Sequence, residues 1–272
     1  MTDITQTPPR HRKPSAAATL LQSRYAGALV SLIVISIFLY LYQPVFLTWP
    51  NLMNIVKSNS VAFILALGAT FVVISGTVDL SFGSATTAAA MVFGLLLING
   101  TPLPLAIFGA LLAGGLLGAF NGYLVSYAKI SFFVVTLGTL SVFQSGALIM
   151  NDGGSYSVFS QPTFKALNTF VNGNLGPVPI ILIFDAVLFL IAGGVLRYTS
   201  FGRALYAIGA NPEAARLNGI NVRRVLFTVF VISGMTAGLA SVVQVGRLTV
   251  ASPEVDLNLL LTVLAAVLIG GT

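Results

Sequence analysis

Two carboxylates stand among apolar residues, and chemistry in this chain would begin with them. Asp79 lies in Ser75–Ser84, SGTVDLSFGS, between Gly76 and Gly83 and among the hydroxyls of Ser75, Thr77, Ser81 and Ser84. Asp185 lies inside the apolar run Pro177–Leu196. A carboxylate at the centre of a membrane helix costs about 2.5–3.5 kcal/mol on insertion scales, so each must meet water, a polar cavity or a partner. A third candidate is a basic stretch, Thr199–Arg224, TSFGRALYAIGANPEAARLNGINVRR, whose order suits docking rather than catalysis. The familiar catalytic sets are absent. With no cysteine and a single histidine, His11, the chain has no disulfide, thiolate metal site, cysteine nucleophile or histidine triad. No Lys follows a Gly, so there is no phosphate-cradling loop of the G-x-x-x-x-G-K-[ST] type. An ATP-driven process would need its nucleotide site on another subunit.

The elements that hold these residues follow from composition. Hydrophobic residues make up 56% of the chain and charged ones 7%, and the apolar residues come in long blocks. About 20 apolar residues cross a bilayer as a helix, and only helices or closed barrels satisfy their backbone in lipid. The blocks lack the alternation of barrel strands. The expectation is an all-α, polytopic helical membrane protein with about eight apolar spans. They fall near Ala26–Tyr42, Ser58–Ser75, Gly83–Ile98, Leu103–Ser126, Ile130–Met150, Pro177–Leu196, Val225–Val245 and Leu257–Thr272. Residues 1–25, rich in Pro and basic side chains, read as a disordered cytoplasmic tail. Residues 26–272 form the membrane domain, with residues 198–224 as a cytoplasmic segment within it.

The net charge of +6 does not point to nucleic acid, because the basic residues cluster in short loops instead of forming one solvated face. Starting the tail inside puts Arg10, Arg12, Lys13, Arg24, Lys129, Arg197, Arg203, Arg216, Arg223 and Arg224 on the cytoplasmic side. Only Lys57, Lys165 and Arg247 then fall outside, as loop charge bias requires. Tyr40, Tyr42, Phe46 and Trp49 would mark the outer end of the first span.

Glycines and hydroxyls make Ser75–Ser84 an expected helix break. Two readings stand side by side: a polar element lining a solute pathway, and a tight cytoplasmic turn with Asp79 stabilising the next helix N-terminus. Asp185 must lie in the outer part of its span, since starting that span after it leaves too few residues to cross. Small residues at four-residue spacing, Ala110, Gly114, Gly118 and Gly122 in one span and Gly234 and Gly238 in another, read as close helix packing.

In the basic stretch, Asn211 precedes Pro212 and Glu213, and Gly219 follows. Asn caps, Pro opens a helix, Glu213 complements its positive end, and Gly suits the left-handed position after its close. The spacing predicts a short, stiff helix over Pro212–Asn218, with Ala214, Ala215 and Leu217 offering apolar contacts and Glu213 and Arg216 offering charge. A rigid peg of this kind suits docking better than simple connection. A further pattern is the echo of FVVISGT, Phe71–Thr77, in AVLIGGT, Ala266–Thr272. It fits a two-half repeat whose second half is incomplete, as in many transporters, although apolar ends followed by glycine are also common by coincidence.

At these segments the chain resembles a known family. SGTVDLSFGS resembles the glycine–Asp–Leu–Ser element of the ribose/xylose/arabinose-type ABC transporter permeases. FGRALYAIGANPEAARLNGINV resembles that family's cytoplasmic coupling segment, and NGYLVSYAKISFFVVTLGTL, Asn121–Leu140, is similar to its pattern too. The resemblance runs from about residue 50 onward. It implies a bacterial inner-membrane importer of sugars or sugar-like solutes, with the N-terminus cytoplasmic. Two permease copies would form the core, and a periplasmic binding protein would deliver the solute. A cytoplasmic ATPase would carry ATP-Mg and dock on Gly209, Asn211, Pro212, Glu213, Ala214, Arg216, Leu217 and Gly219. This chain itself would bind no cofactor. Ser75, Gly76, Asp79, Ser81, Gly83 and Asp185 are the candidates for the solute pathway. The glycine pair that usually precedes the Asp element is here Gly76–Thr77, and family members continue past this C-terminus. Two other classes remain to be weighed. A self-contained, ion-coupled secondary transporter would have only Asp79 and Asp185 as coupling groups and no use for the peg. An intramembrane enzyme, without Cys or a usable His, would need a carboxylate or a Ser–Lys pair, and the lysines lie in loops.

Overall fold

The computed structural model describes residues 26–270. The expected disordered tail, His11 and the closing residues of the Ala266–Thr272 echo lie outside the described residues. Helix α1 spans Ala26–Tyr42 and a 3-10 turn follows at Pro44–Leu47; α2 is Trp49–Ile74, α3 Phe82–Ile98, α4 Leu103–Ser126 and α5 Phe132–Ile149. Strand β1, Tyr156–Ser157, precedes α6, Phe164–Asn172; a hairpin of β2, Asn174–Leu175, and β3, Val178–Pro179, precedes α7, Ile180–Tyr198. Then come α8, Ser200–Ala210, α9, Pro212–Leu217, α10, Val222–Leu248, β4, Val250–Ala251, and α11, Leu257–Ile269.

The all-α polytopic expectation holds. A helix stands at each of the eight apolar runs. Five of them, α2, α4, α5, α7 and α10, are long and apolar enough to cross a membrane. The other three, α1 and α3 at 17 residues and α11 at 13, fall short of that length. One boundary moves. The second helix starts at Trp49, not near Ser58, because Pro50 suits a helix's first turn and polar residues there lower hydropathy without breaking the helix. Trp49 therefore opens α2 instead of closing the preceding span, and Lys57 sits on a helix.

The centre of the bundle is the crossing of α4 and α10. Added to Gly114, a Cβ would fall 2.7 Å from the Gly238 nitrogen; on Gly118, 2.9 Å from the Gly234 Cα; on Gly122, 3.0 Å from the Phe227 oxygen. The two stripes read from the sequence thus face each other, backbone against backbone. In lipid such packing supplies the attraction that hydrophobic drive cannot. Helices α2 and α3 close around this pair, with Ile64, Leu65, Met91, Phe93, Val242 and Val243 in the core.

The bundle has two chemically distinct ends. At one, Trp49 Nε1 donates to the Pro177 oxygen at 2.9 Å, Lys57 Nζ to the Asn172 oxygen at 2.8 Å, and Arg247 to the Ser58 oxygen at 3.0 Å. Here α6 lays Phe164, Leu167 and Val171 inward, and Leu167 and Val171 pack where Gly246 of α10 has no side chain. Strand β1 pairs with β4, Tyr156 opposite Ala251, which ties this end to the start of α11. At the other end lie α8, α9 and the C-termini of α2, α4 and α7.

Replacing Gly118 with Leu should destabilise the protein by at least about 1–3 kcal/mol through overpacking. Gly193→Ala, where a Cβ meets open space, should be neutral or stabilising by up to about 1 kcal/mol. Thermal unfolding in detergent, followed by size-exclusion of the surviving protein, separates the two.

Candidate functional site

Helix α2 ends in a left-handed closure. Gly76, at φ 78°, donates its N–H to the Val73 oxygen at 3.0 Å, and Thr77 donates to the Val72 oxygen at 3.3 Å. A residue with a Cβ pays for this geometry and glycine does not. Ser75 Oγ adds a bond to the Val72 oxygen at 2.6 Å. The helix break expected at Ser75–Ser84 is therefore real, and α3 resumes at Phe82.

The link turns its polar groups inward. Asp79 Oδ1 accepts from the Ser81 N–H at 2.9 Å and from Ser81 Oγ at 2.6 Å, and Oδ2 accepts from Ser233 Oγ at 3.0 Å. Asn121 Nδ2 donates to Ser81 Oγ at 2.6 Å. Asp79, Ser81, Asn121 and Ser233 are all buried. The link, α4 and α10 thus meet in one polar knot just ahead of the α3 N-terminus. Ser75 and Thr77 are buried beside it, and buried Gly83 opens α3 beneath Val255. The sequence showed Asp79 and its serines but not Asn121 or Ser233. A polar residue beside each small-residue stripe was the available signal.

Asp185 lies in the second turn of α7, close to that helix's start. Its partner is a neutral hydroxyl: Ser60 Oγ of α2 donates to Oδ1 at 3.0 Å. A cavity of about 690 Å³ opens between α2 and α7, walled by Ile55, Val56, Phe63, Leu182, Phe189 and Leu190 and reaching Asn59, Ser60 and Asp185. The structure does not bring Asp185 and Asp79 into one site. They belong to separate helix pairs.

Residues 199–224 fold as three helix starts in series, each capped by its own side chain. Thr199 accepts from the Gly202 N–H, Asn211 from the Glu213 and Ala214 N–H groups, both at 3.0 Å, and Asn221 from the Arg224 N–H. The short helix predicted from Asn211-Pro212-Glu213 is present over Pro212–Leu217. It closes at Gly219, φ 82°, with N–H bonds from Gly219 to Arg216 and from Ile220 to Ala215. Six residues would not hold a helix alone, but both ends are closed here. Glu213 and Arg216 pair at 2.7 Å on the exposed face, which contributes little energy in water. One detail is corrected. Ala215 turns inward and is buried, so Ala214 and Leu217 remain as the apolar contacts on offer, and Leu217 is 78% exposed.

Helix α8, which sequence reading missed, is the mount. Leu205 and Ile208 are fully buried, and Phe201 stacks on Phe71 of α2 at 6.3 Å. Gly209 rests on the end of α2 so closely that a Cβ there would strike the Ile74 carbonyl, while a Cβ on Gly76 would lie 3.8 Å from the Gly209 Cα. The segment bearing the peg thus touches the closure that leads into the Asp79 link. Lys129, Arg216 and Arg223 border a cavity of about 390 Å³ at this end, beside Ser126 and Glu213.

Five helices long and apolar enough to cross a membrane, with a capped surface helix mounted on a helix break, fit a membrane transport subunit. A protein-family model described as the branched-chain amino acid transport system permease component matches residues 51–272. The chain belongs to this family of ABC importer permeases, as the resemblance implied. It is 34% identical over 254 residues to the D-allose transport system permease protein of Escherichia coli strain K12, covering 93% of this chain and 77% of that protein. It is 31% identical to the ribose import permease protein of Haemophilus influenzae, with 93% and 77% covered. With the autoinducer 2 import system permease protein of Enterobacter sp. it shares 33% identity, over 93% and 73%. No solved structure matches.

Ser233→Ala leaves one oxygen of a buried carboxylate short of a donor. It should lower stability by about 1–3 kcal/mol, read as a fall in unfolding midpoint. Thr228→Ala, whose exposed hydroxyl bonds only the Arg224 carbonyl, should change it by no more than about 0.5 kcal/mol.

Proposed function

We propose that the chain is the membrane subunit of a bacterial importer for a sugar or sugar-like solute, worked by a separate cytoplasmic ATPase. The observation that carries the reading is the seat of Gly209 on Ile74 and Gly76. It offers a rigid path from an exposed, capped peg to the helix break that holds Asp79. The relatives named for D-allose and ribose import support the solute class.

In this reading the end carrying α8 and α9 faces the cytoplasm, with residues 1–25 on the same side, and the α6 end meets a periplasmic binding protein. Residues 26–272 are the permease domain and 198–224 its coupling segment. Asn211, Pro212, Glu213, Ala214, Arg216, Leu217 and Gly219 present the peg to the ATPase, which holds ATP-Mg; Gly209 passes its displacement on. A second permease copy completes the pathway between the two chains. Within each chain Ser75, Gly76, Asp79, Ser81 and Gly83 shape the inner part of that pathway, and Asp185 the outer part. ATPase closure pushes α9, α8 moves with it as one body, and the α2–α3 link shifts to change access. Eight membrane crossings, with α1, α3 and α11 among them, complete the topology.

Gly209→Leu should separate docking from transport. The ATPase should still co-purify and hydrolyse ATP, while solute uptake into proteoliposomes falls at least about tenfold. Glu213→Lys or Gly219→Leu should instead weaken ATPase binding itself, measured by pull-down. Normal uptake by the Gly209→Leu protein would count against the coupling path.

A further inference from the structure

The Asp79 knot holds a buried carboxyl with no cation beside it and an amide oxygen with no donor. Asp79 is only 5% exposed and its three hydrogen-bond donors, Ser81 N–H, Ser81 Oγ and Ser233 Oγ, are all neutral. The single ion pair among the described residues is the distant Arg216–Glu213. Removing a carboxylate from water costs several kcal/mol unless a charge compensates it. The second observation is independent. Asn121, 1% exposed, spends its amide nitrogen on Ser81 Oγ, and its Oδ1 finds no donor. Exchanging the amide atoms would only move the orphan to the nitrogen and remove the donor from Ser81.

We propose that this knot is a binding site for one small monovalent cation, sodium above all. The oxygens on offer are the Asp79 carboxylate, Asn121 Oδ1 and the hydroxyls of Ser81 and Ser233. Hard oxygen ligands with a single carboxylate suit a singly charged ion, and no cluster of three acidic or imidazole groups exists among the described residues to hold a divalent metal. The ion would join the link, α4 and α10 by one charge-compensated centre. Its role is to keep the link joined to α4 and α10, so that the three shift together. It differs from a coupling ion in needing no passage across the membrane. The site stands apart from the transport reading, because its occupancy is measured without solute or ATP.

The test uses the full chain in lipid nanodiscs, with sodium chloride replaced by choline chloride at equal ionic strength. Sodium should raise the unfolding midpoint saturably, and equilibrium dialysis with radiolabelled sodium should find one ion per chain. Asp79→Asn should abolish both responses. Asn121→Leu should weaken sodium binding by roughly tenfold or more, and Ser233→Ala, which keeps the carboxylate, should retain it with altered affinity. Should Asp79→Asn fold poorly, the Asn121 and Ser233 variants still decide the matter. An equal response to potassium supports a monovalent-cation site without sodium selectivity. Equal midpoints in sodium, potassium and choline with no ion in dialysis overturn the proposal, as does undiminished binding to Asp79→Asn. A more stable Asp79→Asn that binds no sodium, beside a native protein that binds none, shows that the carboxylate holds a proton instead.

Discussion

The polar interior depends on one packing constraint, the backbone approach of α4 to α10. Asn121 lies between Gly118 and Gly122, and Ser233 precedes Gly234. Only because these glycines let the helices touch do Asn121 and Ser233 reach the Asp79 link together. A side chain in either stripe would spread the helices and pull the polar partners away from the carboxylate. The glycines therefore act twice, once as packing surfaces in lipid and once as spacers that set the geometry of the knot. The link between α2 and α3 brings the carboxylate and Ser81, α10 brings Ser233 to the carboxylate, and α4 brings Asn121 to Ser81.

The same economy recurs at the end of α2. A transmembrane helix that stops inside a bundle must satisfy its last carbonyls. The N–H groups of Gly76 and Thr77 do this, bonding the Val73 and Val72 oxygens, and Gly209 rests against the closure. Two glycines on separate elements thus meet, Gly209 because a Cβ there would strike the Ile74 carbonyl and Gly76 because its φ is left-handed. Contact through backbone transmits displacement with little slack, since there are no rotamers to absorb it. Side-chain packing at Phe71, Phe201 and Leu205 keeps α8 from sliding off the contact.

Some of this was legible in the sequence for physical reasons. Apolar runs declare helices in lipid whatever their partners, so each of the eight runs matched a helix. The peg was legible because its signals are local: Asn211 caps, Pro212 opens and Gly219 closes within nine residues of chain. The stripes of small residues announced close packing, although not which stripe faced which. Helix α8 left a local signal that went unread: Ser200–Ala210 is amphipathic and opens at the Thr199 cap, but it is short and lies inside the basic stretch. Pairing was hidden. Asp79 meets Ser233, and Asp185 meets Ser60, across more than a hundred residues of chain. Local spacing carries no record of such contacts. The start of α2 was misplaced for a related reason: hydropathy reports where lipid begins, while the helix there runs on through polar turns toward Trp49.

The two carboxylates illustrate how burial alone fails to assign a role. Both are 5% exposed. Asp79 is held by three donors from two elements, and moving it requires breaking a shared network, so it resists exchange of partners. Asp185 has one donor, from Ser60, and borders the 690 Å³ cavity. Losing that bond costs about 1–3 kcal/mol in a dry site, but a hydroxyl arriving in the cavity can replace it at little net expense. A group held at one point beside an open space is able to exchange its partner for a passing polyol; a group held at three points is able to keep an element in place while others move. The difference lies in the number and origin of the donors around each carboxylate. On that ground Asp185 is free to exchange its partner, and Asp79 ties the link between α2 and α3 to α10.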